Sequence, residues 1–324
     1  MRTLVMGGNR YIGLSLVREL HRRGHQVTVA NSHDADLPVG VARIHVDRRI
    51  PGALHDALLP HRDDYDAVFD NTAYTTDDIE SIVDLFDGRV RHYVFTSSVA
   101  VYRRSFVQPI TESSRLHEGI ADQPLRAYGY NKVLCERFLL DRHERTGFPA
   151  TSVRVTHTVG PRSPLATRDP AFFARLERGR PILVPGDGFP FVHFIHIDDA
   201  ASLLASLLSN PRVGGQVYNA AGAEYASILA TFHLMARAAG VEPNLVHVPL
   251  DLVRRLEHPL VHWMEATSGG VVISIAKALE HLEWRPAFGL EAAYRDSWQW
   301  YDRGGRDLYD FDFSGDDEVL RRLS

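Results

Sequence analysis

A chain of 324 residues with one cysteine, Cys135, can form no intrachain disulfide and no cysteine cage for a metal. Lysine is nearly as scarce. Lys132 and Lys277 are the only two, so 34 of the 36 basic residues are arginine and each lysine asks for a reason. No stretch approaches the roughly 20 apolar residues of a membrane-spanning helix. Residues 1–8, MRTLVMGG, place only four apolar side chains before two glycines, too short for the apolar region of a signal peptide. These absences predict a soluble, cytoplasmic protein without a membrane partner. Basic residues cluster no further than pairs such as Arg22-Arg23, and the formal charge is −5, which argues against a nucleic-acid partner. Internal repeats and low-complexity segments are lacking too.

What remains is globular. Apolar residues make up 44% and charged residues 24%, near the soluble average, and the length suits one large domain or two intimate ones. The first half alternates short apolar runs with helical patterns, as a parallel sheet covered by helices on both faces does. Strands are predicted at Thr3–Met6, Gln26–Ala30, Ala42–Val46, Asp66–Asp70, His92–Thr96 and Thr151–Thr156. Helices are predicted at Tyr11–Arg23, near Pro51–Leu59, at Asp77–Phe86 and, longest, at Arg126–Arg145. After Gly160-Pro161 the pattern loosens into a smaller lobe, with helices at Pro170–Arg178, Asp198–Leu208, Ser227–Ala239 and last at Leu290–Arg303. Short strands at Pro181–Val184, Val192–Ile195 and Gln216–Asn219 fall among them, and Trp263, Trp284, Trp298 and Trp300 read as packing. The tail DLYDFDFSGDDEVLRRLS mixes acids with aromatics.

The segment Gly7-Gly8-Asn9-Arg10-Tyr11-Ile12-Gly13 joins the first strand to the first helix. Glycines there allow a sharp turn, a close approach of backbone to a pyrophosphate and tight helix packing, while the helix N-terminus offers amides to the anion. The second strand runs into Asn31-Ser32, where a carboxylate would bind the adenine ribose 2′-hydroxyl and repel a 2′-phosphate. A neutral Asn31 beside Arg10 tilts the expected cofactor toward NADP over NAD. Asp47, ending the third strand, is placed to accept from the adenine amino group, and Asn71-Thr72-Ala73, ending the fourth, to line the cleft.

Tyr128 and Lys132 stand four residues apart on one face of the long helix. A nearby cation lowers a phenol's pKa of about 10 by roughly 1 to 3 units, toward proton exchange at neutral pH. Tyr128 is therefore the candidate general acid or base, and Lys132 its electrostatic partner and a ligand for the nicotinamide ribose. Ser97-Ser98 emerge at a C-terminal strand end, where open α/β sheets hold ligands, and Ser98 can donate to a substrate oxygen. His157, His193 and His196 fall near the expected cleft. His193 and His196 face opposite sides of a strand and His258 and His262 flank Pro259 without an acidic partner, so no metal site is expected.

Taken in order, Gly7-Gly8 with Gly13, Thr96-Ser97-Ser98-Val99-Ala100-Val101-Tyr102, Tyr128 with Lys132, Val153-Arg154 with Gly160-Pro161, Phe194-Ile195-His196-Ile197-Asp198-Asp199-Ala200 and Lys277-Ala278 with Trp284-Arg285-Pro286 resemble the extended short-chain dehydrogenases/reductases, the NAD-dependent epimerase/dehydratase family. The turn, the short link from Asn71 to Ser97 and the C-terminal tail look most like its atypical branch, which includes the chloroplast stem-loop-binding proteins. The resemblance implies an α/β fold: a doubly wound parallel Rossmann sheet in residues 1–160, with segments about 191–220 returning to it, and a mainly substrate-binding lobe in 161–324. It implies the Ser98, Tyr128 and Lys132 roles, a small-molecule substrate and a homodimer. Two departures stand out. His157 replaces an asparagine, and Val192 or His193 replaces the arginine that holds a nucleotide diphosphate. Three activities stay open: net hydride transfer with NADP or NAD, a closed-cycle epimerase or dehydratase, and a non-catalytic RNA-binding relative.

Overall fold

Continuous aliphatic runs suit strands buried on both faces, and that is where these lie. In the computed structural model, which describes residues 1–34, 36–119, 124–258 and 270–323, the strands are β1 (Arg2–Met6), β2 (Gln26–Asn31), β3 (Ala42–His45), β4 (Ala67–Asp70), β5 (His92–Ser98), β6 (Ala150–Val155), β7 (His157–Val159), β8 (Ile182–Pro185), β9 (Phe191–His196), β10 (Gln216–Ala220), β11 (Tyr225–Ser227) and β12 (Leu245–Val248). Seven of them form a parallel sheet in the order β10-β6-β5-β4-β1-β2-β3. The chain order reverses between β1 and β4. An open sheet of this kind holds its ligands at such a switch point, outside the carboxyl ends of the strands.

The flanking helices sort by their apolar faces. α1 (Tyr11–Arg22) packs on α6 (Ile197–Ser206), burying Leu16, Leu20, Leu203 and Leu204 over Val5 and Val29. On the other face α2 (Ala53–Leu58), α3 (Thr76–Phe86) and α4 (Pro124–Thr146) bury Leu54, Ile79, Val83, Cys135 and Leu139 over Leu4 and Phe95. A second core unites α5 (Asp169–Glu177), α7 (Ile228–Ala239) and the helix Leu290–Asp302 through Phe173, Phe232, Tyr294 and Tyr301. β11-β9-β7 and β8-β12 form two small sheets beside it.

Three short strands, β7, β11 and β12, two short helices, Leu250–Arg255 and Ala276–His281, and a terminal helix, Ser314–Leu323, lie outside the predicted elements. The terminal helix is held by a buried carboxylate: Asp316 takes Arg175 Nε at 2.6 Å and Nη2 at 2.9 Å, and His258 Nε2 at 2.9 Å. Phe311 and Phe313 stack ahead of it, with Arg175, Arg178 and Arg180 over the Phe313 ring. Trp284 is buried and donates to Asp199 O, while Trp298 stacks on Tyr301. Trp263 and His262 lie outside the described residues. Lys277 donates to Val217 O at 2.8 Å and covers the Tyr218 ring, which gives one of the two lysines its reason.

Candidate active site

The glycine turn is tight in the manner its spelling predicts. Gly7 sits at φ +80°, and a Cβ there would lie 2.1 Å from Thr72 Cγ2; a Cβ on Gly13 would lie 2.1 Å from Gly7 O. The turn thus touches both the end of β4 and its own helix, so side chains at these positions would force it open. Tyr11, which opens α1, adopts φ +43° although it is not glycine. That left-handed backbone stores about 1 to 2 kcal/mol of strain. Asn9 is half-buried, Ile12 packs against the α1 face core, and Arg10 is exposed at the helix N-cap, without a side-chain ion pair or hydrogen bond among the described residues.

Polar groups line the neighbouring strand ends. Asn31 is buried; its Oδ1 accepts from Arg43 Nε at 2.8 Å while its Nδ2 has no partner among the described residues. Arg43 also bonds Asp34 and His45 Nδ1, and Ser32 Oγ pairs with His33 Nδ1 at 2.8 Å. Asp47 is held at 2.7 and 3.0 Å by the Arg49 side chain, whose hydrogen bonds draw its carboxyl down to about 2. Asn71 Oδ1 accepts from Thr96 Oγ1 at 2.6 Å, leaving Nδ2 buried and without a partner among the described residues. Behind them Arg48 grips the fully buried Asp70 at 2.6 and 2.7 Å and donates to Thr72 Oγ1 at 2.7 Å.

α4 brings its two reactive side chains to the same place because Gly129 lets it come close. A Cβ there would lie 2.1 Å from Ala100 O, in the short turn that follows Ser98. Tyr128 lies beside Ser98, whose Oγ accepts from Ala100 N at 3.2 Å. Lys132 is 2% exposed and donates to Ala73 O at 2.7 Å and Thr96 O at 2.8 Å, its Nζ 6.0 Å from the Tyr128 ring centre. Burial draws its ammonium down to about 8 against the attraction of Asp70. The expected lowering of the phenol is overturned. Burial raises Tyr128 above its ordinary value, and the opposing pulls of the neighbouring Ser98 hydroxyl and the Arg168 charge do not cancel it.

A buried network anchors this wall. Glu136 on α4 accepts from Ser97 Oγ at 2.5 Å and from Arg154 at 2.6 to 3.1 Å, and Arg154 also meets Tyr102 Oη at 2.9 Å. The opposite wall comes from the lobe. His157 on β7 is half-buried near Phe194, and burial draws its imidazole down to about 3, so it is neutral at physiological pH. His193 spends both ring nitrogens on backbone, Nε2 with Gly222 O at 2.9 Å and Nδ1 with Ile273 N at 3.0 Å, which leaves no ring nitrogen for a ligand. His196 stacks on Phe288 and bonds Asp296 at 3.1 Å. Sequence reasoning passed over Arg168, whose charge reaches Tyr11, Tyr128, His157 and Asp169. Tyr74, 6.0 Å from the Tyr128 ring, was missed as well. A cleft of about 540 Å³ between Arg162, Asp296, Trp300 and Arg303 lies away from Tyr128 and Lys132. Among the described residues no three His, Cys, Asp or Glu side chains gather to hold a metal ion.

A parallel sheet with a glycine turn at its switch point and a Tyr-Lys pair beside it defines a dinucleotide-binding class of fold. The family model of the NAD dependent epimerase/dehydratase family matches residues 3–221, and the chain belongs to that family. It is 27% identical over 340 residues to the chloroplast stem-loop binding protein of 41 kDa b of Arabidopsis thaliana, covering 99% of this chain and 84% of that one. It is 28% identical over 256 residues to 2′-dehydrokanamycin reductase of Streptomyces kanamyceticus, covering 78% and 70%. The fold is shared with UDP-glucuronic acid 4-epimerase from Bacillus cereus, solved in complex with UDP-glucuronic acid and NAD. There the TM-score is 0.74, the identity 18%, and 95% of this chain and 100% of that chain are covered.

Proposed function

We propose that this chain is an NADP-preferring oxidoreductase that interconverts a carbonyl and a secondary alcohol, with Tyr128 as the general acid or base. The observation that carries the reading is the meeting of the Ser98 hydroxyl, the Tyr128 phenol and the Lys132 ammonium at the strand ends beside the glycine turn. The residues present suit a nicotinamide dinucleotide. The turn offers a bare backbone, and Asn31 and Asn71 hold buried amide donors without acceptors among the described residues at the strand ends on either side of it. That cofactor, when bound, supplies the hydride acceptor or donor. Asn31 and Arg10 favour a 2′-phosphate, since no carboxylate ends β2.

For reduction, Tyr128 Oη gives its proton to the carbonyl oxygen as the carbon gains hydride, and recovers one from solvent. For oxidation it takes the hydroxyl proton. Ser98 donates to the same oxygen and fixes the phenol's direction. Lys132 has spent two of its three N–H donors on Ala73 and Thr96, so one remains for a ribose hydroxyl. A phenol raised by burial favours the protonated form, which suits Tyr128 to donating.

A closed-cycle epimerase or dehydratase is the second reading, favoured by the family and by the NAD-bound fold relative. Against it, Val192 is buried and His193 is committed to backbone where the resemblance places a diphosphate-binding arginine. Tyr128→Phe is expected to lower single-turnover hydride transfer about a hundredfold or more while NADPH affinity stays within twofold. Full transfer by the variant sinks the proton role. Purification with stoichiometric bound cofactor that never consumes added NADPH selects the closed cycle.

A further inference from the structure

The cleft of about 540 Å³ at the end of the helix Leu290–Asp302 is left unused by the proposed chemistry, and it shares no lining residue with the wall of Ser98, Tyr128 and Lys132. It opens between the loop after β7, through Pro161 and Arg162, and the end of that helix with the turn beyond it, through Asp296, Trp300, Arg303 and Leu308. Arg162 adopts φ +63° although it is not glycine, a left-handed backbone that side chains disfavour. The loop around it is pinned: Ser297 Oγ donates to Gly160 O at 3.3 Å, and Tyr309 Oη to Ser163 O at 2.7 Å. Among the described residues the half-buried Arg162 guanidinium has no ion pair or hydrogen bond, and its Nε is shut off from solvent. Arg303, exposed at the helix C-cap, has no side-chain partner among them either. Asp296 lines the same cleft but is engaged elsewhere: Nε2 of the buried His196 reaches its Oδ2 at 3.1 Å, while His196 Nδ1 accepts from Asp198 N at 3.3 Å. That acceptance puts the ring proton on Nε2, toward Asp296. Trp300 adds a flat apolar wall, braced by Gly305, where a Cβ would lie 2.7 Å from Cε3, and by the Tyr309 ring, T-shaped to it at 6.3 Å.

Strained backbone of this kind persists where the surroundings enforce it, and it clusters at sites that hold a ligand. Arg162 gains no partner from its strain, not even Asp296 on the same cleft. Unpaired guanidiniums are suited to a carboxylate or phosphate, and a cleft of this volume holds an organic molecule rather than a bare ion. We infer that this cleft is a separate ligand site that takes a small organic anion, its carboxylate or phosphate meeting Arg162 and Arg303 and its flat apolar body lying against Trp300 and Leu308. A hydroxyl or amino group on that ligand would find an acceptor in Asp296. The inference does not rest on the reading of Tyr128, because none of these residues takes part in the proposed hydride transfer.

The test titrates the full-length protein by calorimetry with phenyl phosphate and with benzoate, and with inorganic phosphate and benzyl alcohol as the two halves of such a ligand. At least one aromatic anion is expected to bind tenfold or more tighter than either half. Arg162→Gln and Arg303→Gln should each weaken it fivefold or more, with Tyr128→Phe and NADPH affinity changed less than twofold. Arg303 is exposed, so its variant keeps the test decisive should Arg162→Gln fail to fold. Arg162→Gly removes the charge and the strain together, and should lose the probe while its unfolding midpoint equals or exceeds that of the wild type. The inference is overturned if neither aromatic anion binds, if the halves bind as well, or if Arg303→Gln binds undiminished. It is equally overturned if Tyr128→Phe weakens the probe as much, which would place the probe in the reaction cleft, or if Arg162→Gly melts several degrees lower, which would make the arginine a structural element. Failure of the protein to bind NADPH or transfer hydride would sink the proposed function and leave this site standing.

Discussion

The two walls of the cleft treat their buried charged groups in opposite ways. On the sheet side Lys132 has two carbonyls, Asp70 has Arg48, and Glu136 has Ser97 and Arg154, each at hydrogen-bond distance. On the lobe side, among the described residues, Arg168 has no bonded partner and the buried Asp169 keeps one carboxyl oxygen without one. Satisfied networks stiffen a structure, while an unpaired buried group costs about 1 to 3 kcal/mol. The sheet wall is therefore built to hold reactive groups still, and the lobe wall carries a desolvation cost that a ligand would relieve.

Breaking the satisfied wall should produce the largest effect. Glu136→Ala strands the Arg154 guanidinium, 3% exposed, and frees Ser97 beneath α4. Removing one member of a buried ion pair costs about 3 to 5 kcal/mol. Chemical denaturation should show a loss of that size, and a loss under about 1 kcal/mol would mean that the network is not what holds α4 to the sheet.

How much of this was legible beforehand follows from the range of the interactions involved. The sheet strands were readable because each is a local run of apolar residues, and the Tyr128-Lys132 spacing because a helix fixes it. Arg48 and Asp70, 22 residues apart, gave no local signal of their pairing. The helix Ser314–Leu323 was hidden for the same reason, since its anchor Asp316 finds Arg175 141 residues away. Arg168 stands just before a helix that Pro170 made visible, but sequence does not say which groups the charge of an N-cap side chain reaches. Burial likewise reversed the expected direction of the Tyr128 shift, because the sequence shows the neighbouring cation and not the desolvation.

The unsatisfied wall can be sharpened through Asp169. Burial lifts its carboxyl to about 6 despite the opposing charge of Arg168. A carboxyl raised above its unfolded value of about 3.9 stabilises the fold fully below that pH, and the contribution is lost as pH rises through about 6. Asp169→Asn cannot ionise and should escape the loss. The variant should match the wild type near pH 4 and exceed it by about 2 to 3 kcal/mol at pH 8, from a shift of about 2 units at 1.36 kcal/mol each. Stability measured across that range tests this, and an equal difference at both pH values would show that ionisation of Asp169 is not the cause.

The smallest effect extends the contrast to the adenine end of the cleft, where Arg43 is tied to Asn31, Asp34 and His45 while Arg10 has no bonded partner among the described residues. If unpartnered cations are the ones reserved for ligands, Arg10 should read the 2′-phosphate and Arg43 should hold β2 against β3. Arg10→Ala is then expected to weaken NADPH about tenfold, or 1.4 kcal/mol, with NADH changed less than twofold. Arg43→Ala would instead lower both affinities together, because Asn31 loses the bond that orients its amide. Titrating the two cofactors against the two variants decides it, and a selective NADPH loss in Arg43→Ala alone would show that a partnered cation can serve the ligand, erasing the distinction between the walls at this end of the cleft.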